Sequence, residues 1–231
     1  MTDVLVLSNA LGTTRELWSR QLPALEVRFR LLRYEHRGRE TVEALAGDVV
    51  ELLDAGGVER ASFCGVSLGG TVGMWLAANA PDRIDRLVLA CTSARFGPPE
   101  QWRERAALVR EHGTAPLLEA QLDRWFTPAF HGREPFRRML LSTPREDYAA
   151  CCEALAGWDF RDLLGEIAAP TLVIAGADDP ATPPEHSEVI ADGIPGARLA
   201  VFAGAAHLAN VEQAEAFNRL VLAHLAQEVP A

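Results

Sequence analysis

The sequence predicts an α/β fold with a mostly parallel central sheet and helices on both faces, and three observations carry that expectation. Strand-length apolar runs bounded by turn residues alternate with helical patterns, as crossover-connected parallel strands require. One stretch, residues 97–165, breaks the alternation with helix-length segments and no clear buried strand. A Gly-x-Ser-x-Gly, Gly65-Val66-Ser67-Leu68-Gly69, stands where an apolar strand gives way to a helical run.

In chain order, Val4–Leu7 reads as the first strand and Phe29–Tyr34 as the second. Thr41–Leu53 has helical spacing, and Ala61–Cys64 is the strand that leads into Ser67. Thr71–Asn79 follows as a helix, with Pro81 as its stop signal. Arg86–Ala90 is a fourth strand. Residues 97–165 are Leu-, Arg- and Glu-rich, carry aromatics such as Trp102, Trp125 and Trp158, and are punctuated by Gly113, Pro128 and Pro144. They are expected to form a helical lid over the C-terminal edge of the sheet, where open α/β sheets bind ligands and a cover excludes water. The strands Thr171–Ala175 and Arg198–Phe202 and the helices His186–Ala191 and Val211–Leu225 complete the pattern. The expected organisation is a core of residues 1–96 and 166–231 with the lid inserted between them.

Composition narrows the function classes. The 231 residues suit one domain carrying an insertion, and 48% apolar residues suffice for a large core. A net charge of −10 argues against nucleic acid and anionic membrane surfaces as partners, since both need a basic face. Cys64, Cys91, Cys151 and Cys152 lack metal-ligand spacing and suggest no disulfide framework. The sequence shows no charged-then-apolar leader and no run of 18 apolar residues, so a soluble, cytoplasmic protein is expected. Homo-oligomerisation is left open.

The Gly-x-Ser-x-Gly turn is tight enough to need small residues around the serine, and it lifts the Ser67 hydroxyl above the sheet at a helix N-terminus. A serine hydroxyl is a weak nucleophile until a base takes its proton, and the base needs an orienting acid. On this kind of scaffold the order is serine, acid, histidine. After the strand Thr171–Ala175 comes Gly176-Ala177-Asp178-Asp179-Pro180, which offers Asp179, three residues past the glycine, with Asp178 as the alternative. After the strand Arg198–Phe202, a loop of small residues ends in His207. His36, His112, His131, His186 and His224 occupy no catalytic slot. An oxyanion needs backbone donors; Leu68, next to the nucleophile, and Ala10, in the loop after the first strand, are the candidates.

These residues resemble the α/β-hydrolase superfamily, and more narrowly the 3-oxoadipate enol-lactonases, over nearly the whole chain. The narrower resemblance rests on Ser8-Asn9-Ala10-Leu11-Gly12-Thr13 with Trp18, on His36-Arg37-Gly38, on Phe63 to Gly70, on Arg124-Trp125-Phe126-Thr127, and on Ala175 to Pro184. It departs in two places: the first strand begins at Val4, where the family has an extra strand pair, and Arg39-Glu40-Thr41 runs directly into a helix where the family has a longer loop. The resemblance implies hydrolysis of 3-oxoadipate enol-lactone in aromatic-acid catabolism, through an acyl-enzyme and with no metal or organic cofactor. The implied substrate is a small anionic lactone, so a cation near the pocket is expected. Arg124 is the first candidate, Arg33 and Arg133 weaker ones, and Trp125 is a candidate wall. Trp18 is expected to pack the loop that carries Ala10. A carboxylesterase or a C–C bond hydrolase would share the triad. A non-catalytic ligand-binding module of the same fold is the alternative of another class.

Overall fold

A computed structural model describes residues 3–226. Six strands, β1 (Val4–Ser8), β2 (Arg30–Arg33), β3 (Ala61–Val66), β4 (Ile84–Ala90), β5 (Thr171–Gly176) and β6 (Arg198–Phe202), form one sheet in the order β2-β1-β3-β4-β5-β6. All five pairings are parallel. β3 and β5 are buried at every residue, which is why they read as continuous apolar runs rather than alternating ones. The edge strand β6 is half-exposed. The chain runs outward from β1 to β2 and then crosses back to β3. The order therefore reverses between β1 and β3, and the crevice at that switch point lies between the loops that carry Ala10 and Ser67.

The connecting helices are α1 (Leu22–Leu25), α2 (Val42–Ala55), α3 (Leu68–Asn79), α4 (Pro99–His112), α5 (Leu118–Trp125), α6 (Glu134–Ser142), α7 (Arg145–Ala156), α8 (Pro184–Gly193), α9 (Ala209–Glu212) and α10 (Ala214–Leu225). Their ends follow local chemistry. The Thr41 hydroxyl accepts the Ala44 N–H at 3.1 Å and starts α2 directly after the short Arg39–Glu40 segment; such a cap contributes about 1 kcal/mol. Pro99 opens α4, and Gly113, at φ 72°, closes it. α3 is buried on nearly all sides.

One expectation is adjusted. The run Val211–Leu225 is two helices, interrupted at Gln213, which has φ −115° and ψ 43°. From the end of the first of them Glu212 reaches back to the preceding loop, as described below. The short α1, which the sequence reading passed over, packs against α10.

Residues 97–165 contain α4 to α7 and, among the described residues, no named strand. α4 lies along α7, and α5 meets α6. Phe126 stacks on Phe130 at 4.4 Å and meets Phe136 edge-on at 4.7 Å, which gives this segment its own aromatic cluster. Its two ends are pinned together beside β4: Phe160 N–H donates to the Ala94 carbonyl at 2.8 Å, and Trp158 Nε1–H to the Ser93 carbonyl at 2.9 Å.

Candidate active site

Ser67 is the single residue between β3 and α3. Its φ of 55° and ψ of −115° lie in a region that residues with a Cβ avoid. The strain persists because the flanking backbones cannot move. A Cβ on Gly65 would fall 2.2 Å from the Gly69 carbonyl oxygen, and one on Gly69 would fall 2.3 Å from that of Ser8. Ser67 N–H donates to the Ala90 carbonyl at 2.9 Å, and its own carbonyl accepts the Thr92 hydroxyl at 2.7 Å. The side chain caps no helix N–H; it lines a cavity of about 500 Å³.

Leu68 begins α3, and Ala10 lies in the loop after β1. Gly69 N–H donates to the Asn9 carbonyl at 3.0 Å and ties that loop to the elbow. Among the described residues, no turn, loop or cap hydrogen bond uses the Leu68 or Ala10 N–H. The Asn9 side chain is held from both ends: its Nδ2–H donates to the Tyr34 carbonyl at 3.0 Å, and its Oδ1 accepts Trp18 Nε1–H at 3.0 Å. Trp18 thus packs the loop, as expected. His36 supplies a support that the sequence reading did not find. Burial lowers its pKa to about 4, so the ring is neutral near pH 7, and its Nε2–H donates to the Asn9 carbonyl at 3.0 Å. That carbonyl belongs to the same planar peptide as the Ala10 N–H. Two donors on the oxygen therefore fix the direction of the N–H at the other end.

Asp179 and His207 come together from the loops after β5 and β6. His207 Nδ1–H donates to Asp179 Oδ2 at 2.8 Å, and both residues are almost fully buried. Asp179 also accepts the Thr182 hydroxyl at 2.7 Å and the Ala181 and Thr182 N–H groups at 2.8 and 3.0 Å. Burial alone would raise this carboxyl, but the His207 imidazole and the Thr182 donors outweigh it and hold the group below the usual aspartate range. The adjacent Asp178 is exposed. His207 lines the same cavity as Ser67, and its Nδ1 bond to Asp179 leaves Nε2 for proton exchange.

Residues of the 97–165 stretch supply much of the cavity wall. Trp125 is fully buried and lines it, as do Trp102, Leu117 and Leu155. Arg124 lines it from an exposed position. Arg33 and Arg133 do not line it; Arg33 reaches the Arg15 carbonyl at 3.3 Å, and Arg133 pairs with Asp123 at 2.9 Å. Arg105, absent from the sequence candidates, lines it too.

The segment after α5 also grips the histidine loop. Leu208 N–H donates to the Trp125 carbonyl at 3.0 Å. Glu212 accepts the Thr127 N–H at 3.0 Å and hydroxyl at 2.6 Å on one oxygen, and the Ala206 N–H at 2.6 Å on the other. One carboxylate therefore braces the loop that presents His207 against the segment after α5. Chemically, the cavity offers a strained hydroxyl and an imidazole with a buried carboxylate behind it; Ala10 and Leu68 line a separate, smaller cavity that shares Leu11 with it.

Comparison with known proteins agrees with this architecture. A family model of the alpha/beta hydrolase fold matches residues 3–214. The chain is 38% identical to 3-oxoadipate enol-lactonase 2 of Acinetobacter baylyi, covering 94% of this chain and 86% of that protein. It is 32% identical to a putative carbamate hydrolase, RutD, of Stutzerimonas stutzeri, over 97% and 92% of the two chains. Among solved structures, the enol-lactonase from Burkholderia xenovorans LB400 superposes with a TM-score of 0.94 at 40% identity, covering 98% of this chain and 92% of that one.

Proposed function

This chain belongs to the α/β-hydrolase family, and on that premise we propose that it is a serine hydrolase that opens the lactone ring of 3-oxoadipate enol-lactone. The observation that carries the reading is the 2.8 Å bond between buried Asp179 and His207, set beside a cavity that the strained Ser67 also lines. Similarity to the enol-lactonases of two bacteria supports the choice of substrate.

His207 takes the Ser67 proton as the hydroxyl oxygen attacks the lactone carbonyl. The Leu68 and Ala10 N–H groups receive the oxyanion, each contributing about 3 kcal/mol to lowering the barrier. Asp179, ionised at neutral pH, stabilises the imidazolium. Collapse breaks the ring C–O bond and expels an enolate, which takes up the proton and tautomerises to a ketone. Tautomerisation removes the tethered nucleophile that would close the ring again. Water, deprotonated by His207, then attacks the acyl-enzyme, and Ser67 leaves with the proton. The product is 3-oxoadipate, an intermediate of aromatic-acid catabolism.

A second reading, hydrolysis of a carbamate or a simple carboxylic ester, is favoured by the 32% identity to a putative carbamate hydrolase. Both use the same triad and differ in the leaving group. The test is side-by-side turnover of the enol-lactone, a neutral p-nitrophenyl ester and a carbamate. The proposal expects the highest kcat/KM on the enol-lactone, and its loss in Ser67→Ala. Faster carbamate or neutral-ester hydrolysis overturns the substrate, and full turnover by Ser67→Ala overturns the mechanism.

A further inference from the structure

Arg105 occupies a setting that, among the described residues, no other cation of the cavity shares. It stands on α4, half-buried, and lines the same cavity as Ser67 and His207. Its guanidinium lies over two aromatic faces, 5.6 Å from the Trp102 ring centre and 5.5 Å from that of Tyr148. Its Nη2–H donates to the side-chain oxygen of Gln121, itself a buried residue. Three groups thus hold the head of a long side chain in one place. Yet the charge is not neutralised: among the described residues, no ion pair involves Arg105. Its Nε is buried without a hydrogen-bond partner, and among the described residues Nη1 makes no hydrogen bond either.

Other arginines of the inserted helices show the contrast. Arg103, Arg110, Arg133, Arg137 and Arg138 each lie within 4.0 Å of a carboxylate. Among the described residues the one carboxylate that lines the cavity, Glu104, is exposed and makes no ion pair with Arg105. A guanidinium that is fixed, stacked and partly desolvated, with donors unused, is pre-organised for a planar anion; the ordering has been done before the ligand arrives. Arg124 is exposed and free to solvate, so its charge is screened.

We infer that Arg105, with Gln121 fixing its orientation, is the subsite for a substrate carboxylate, and that it selects monoanionic acyl compounds over neutral ones. This deepens the hydrolase reading above and rests on it for Ser67 chemistry, but not on the enol-lactone as substrate. Arg105 is a binding residue for the part of the substrate remote from the scissile bond. Its loss should therefore fall on KM of charged substrates more than on kcat.

The experiment compares two chromogenic esters, mono-p-nitrophenyl glutarate, which carries a carboxylate, and p-nitrophenyl butyrate, which does not. The readout is the ratio of their kcat/KM values in wild type, Arg105→Met, Arg105→Lys and Arg124→Gln. The proposal expects wild type to prefer the charged ester. It expects Arg105→Met to lower the ratio at least tenfold, mainly through KM of the charged ester, and Arg105→Lys to recover part of it. A ratio unchanged in Arg105→Met, or one that falls in Arg124→Gln alone, overturns the assignment, as does a wild type indifferent to the charge. Should Arg105→Met fail to fold, Arg105→Lys, which keeps the aliphatic stem and the charge but not the planar fork, gives the deciding ratio. An enzyme that ignores the enol-lactone but shows the Arg105-dependent ratio defeats the proposed substrate and leaves this subsite standing.

Discussion

The two regions that meet at the cavity are built in opposite ways. On the sheet side, Ser67, Asp179 and His207 sit at strand ends, and the atoms that position them are committed: Asp179 alone accepts four hydrogen bonds. On the roof side, α4 and α5 present apolar walls and two guanidiniums that no described carboxylate pairs with. The difference teaches that, on the proposed function, the chemistry is anchored to backbone geometry at the ends of the strands. Recognition, on the same reading, is carried by side chains on the helices of the roof.

The sharpest way to break that comparison is to remove the nucleophile. Ser67→Ala is expected to lower kcat by about 10⁴- to 10⁶-fold on charged and neutral esters alike. A loss confined to one ester class would move the chemistry out of the sheet side. Next is Asp179→Asn, which keeps the shape but reverses the preferred tautomer of His207. The expected cost is about 10³- to 10⁴-fold in kcat with little change in KM, measured on the same esters.

On the roof side, Trp125→Ala should act through binding and stability. Truncating a fully buried indole costs about 3–5 kcal/mol of unfolding free energy, read by urea denaturation. In the folded fraction KM should rise more than kcat falls. A kcat effect as large as that of Asp179→Asn would show that the two regions are not separable. Glu212→Gln tests the junction itself. Weakening its charge-assisted bonds to Ala206 and Thr127 should cost about 1–3 kcal/mol and lower kcat by about tenfold, since the histidine loop loses its brace. An unchanged kcat would mean that the roof does not position His207.

The smallest effect expected is a pH dependence of stability. Buried His36 titrates at about 4 in the folded chain, against about 6.5 when unfolded. Between those values the unfolded state binds the extra proton, so stability falls as pH drops from about 6.5 to about 4, and His224, also lowered to about 4, adds to the slope. The depressed Asp179 carboxyl adds a loss of the same sign, but only below about 4, as pH falls through its folded value. His36→Asn should flatten the slope between pH 7 and 5 in urea titrations by about 1–2 kcal/mol. A slope unchanged by the substitution would mean that His36 takes up its proton without loosening the loop.

Much of the fold and half of the candidate site were legible in the chain. The parallel sheet follows from buried strands such as Ala61–Val66, whose continuous apolar character is local. The elbow is legible because its steric demand falls on neighbours: Gly65 and Gly69 stand within two residues of Ser67. Asp179 and His207 announce themselves by residue type at strand ends. The interruption at Gln213 was not legible, because neither Gly nor Pro marks it within the run Val211–Leu225.

What the sequence by itself determined is the class of sheet, the strained serine and the strand ends that carry Asp179 and His207, since each depends on spacing within a few residues. Only the tertiary structure decided that His36 steadies the Asn9–Ala10 peptide, that Glu212 joins roof to histidine loop, and that Arg105 faces the cavity unpaired. The physical reason is range. Those roles depend on contacts between segments remote in the chain, and such a contact leaves no periodicity for a reader of the sequence to find.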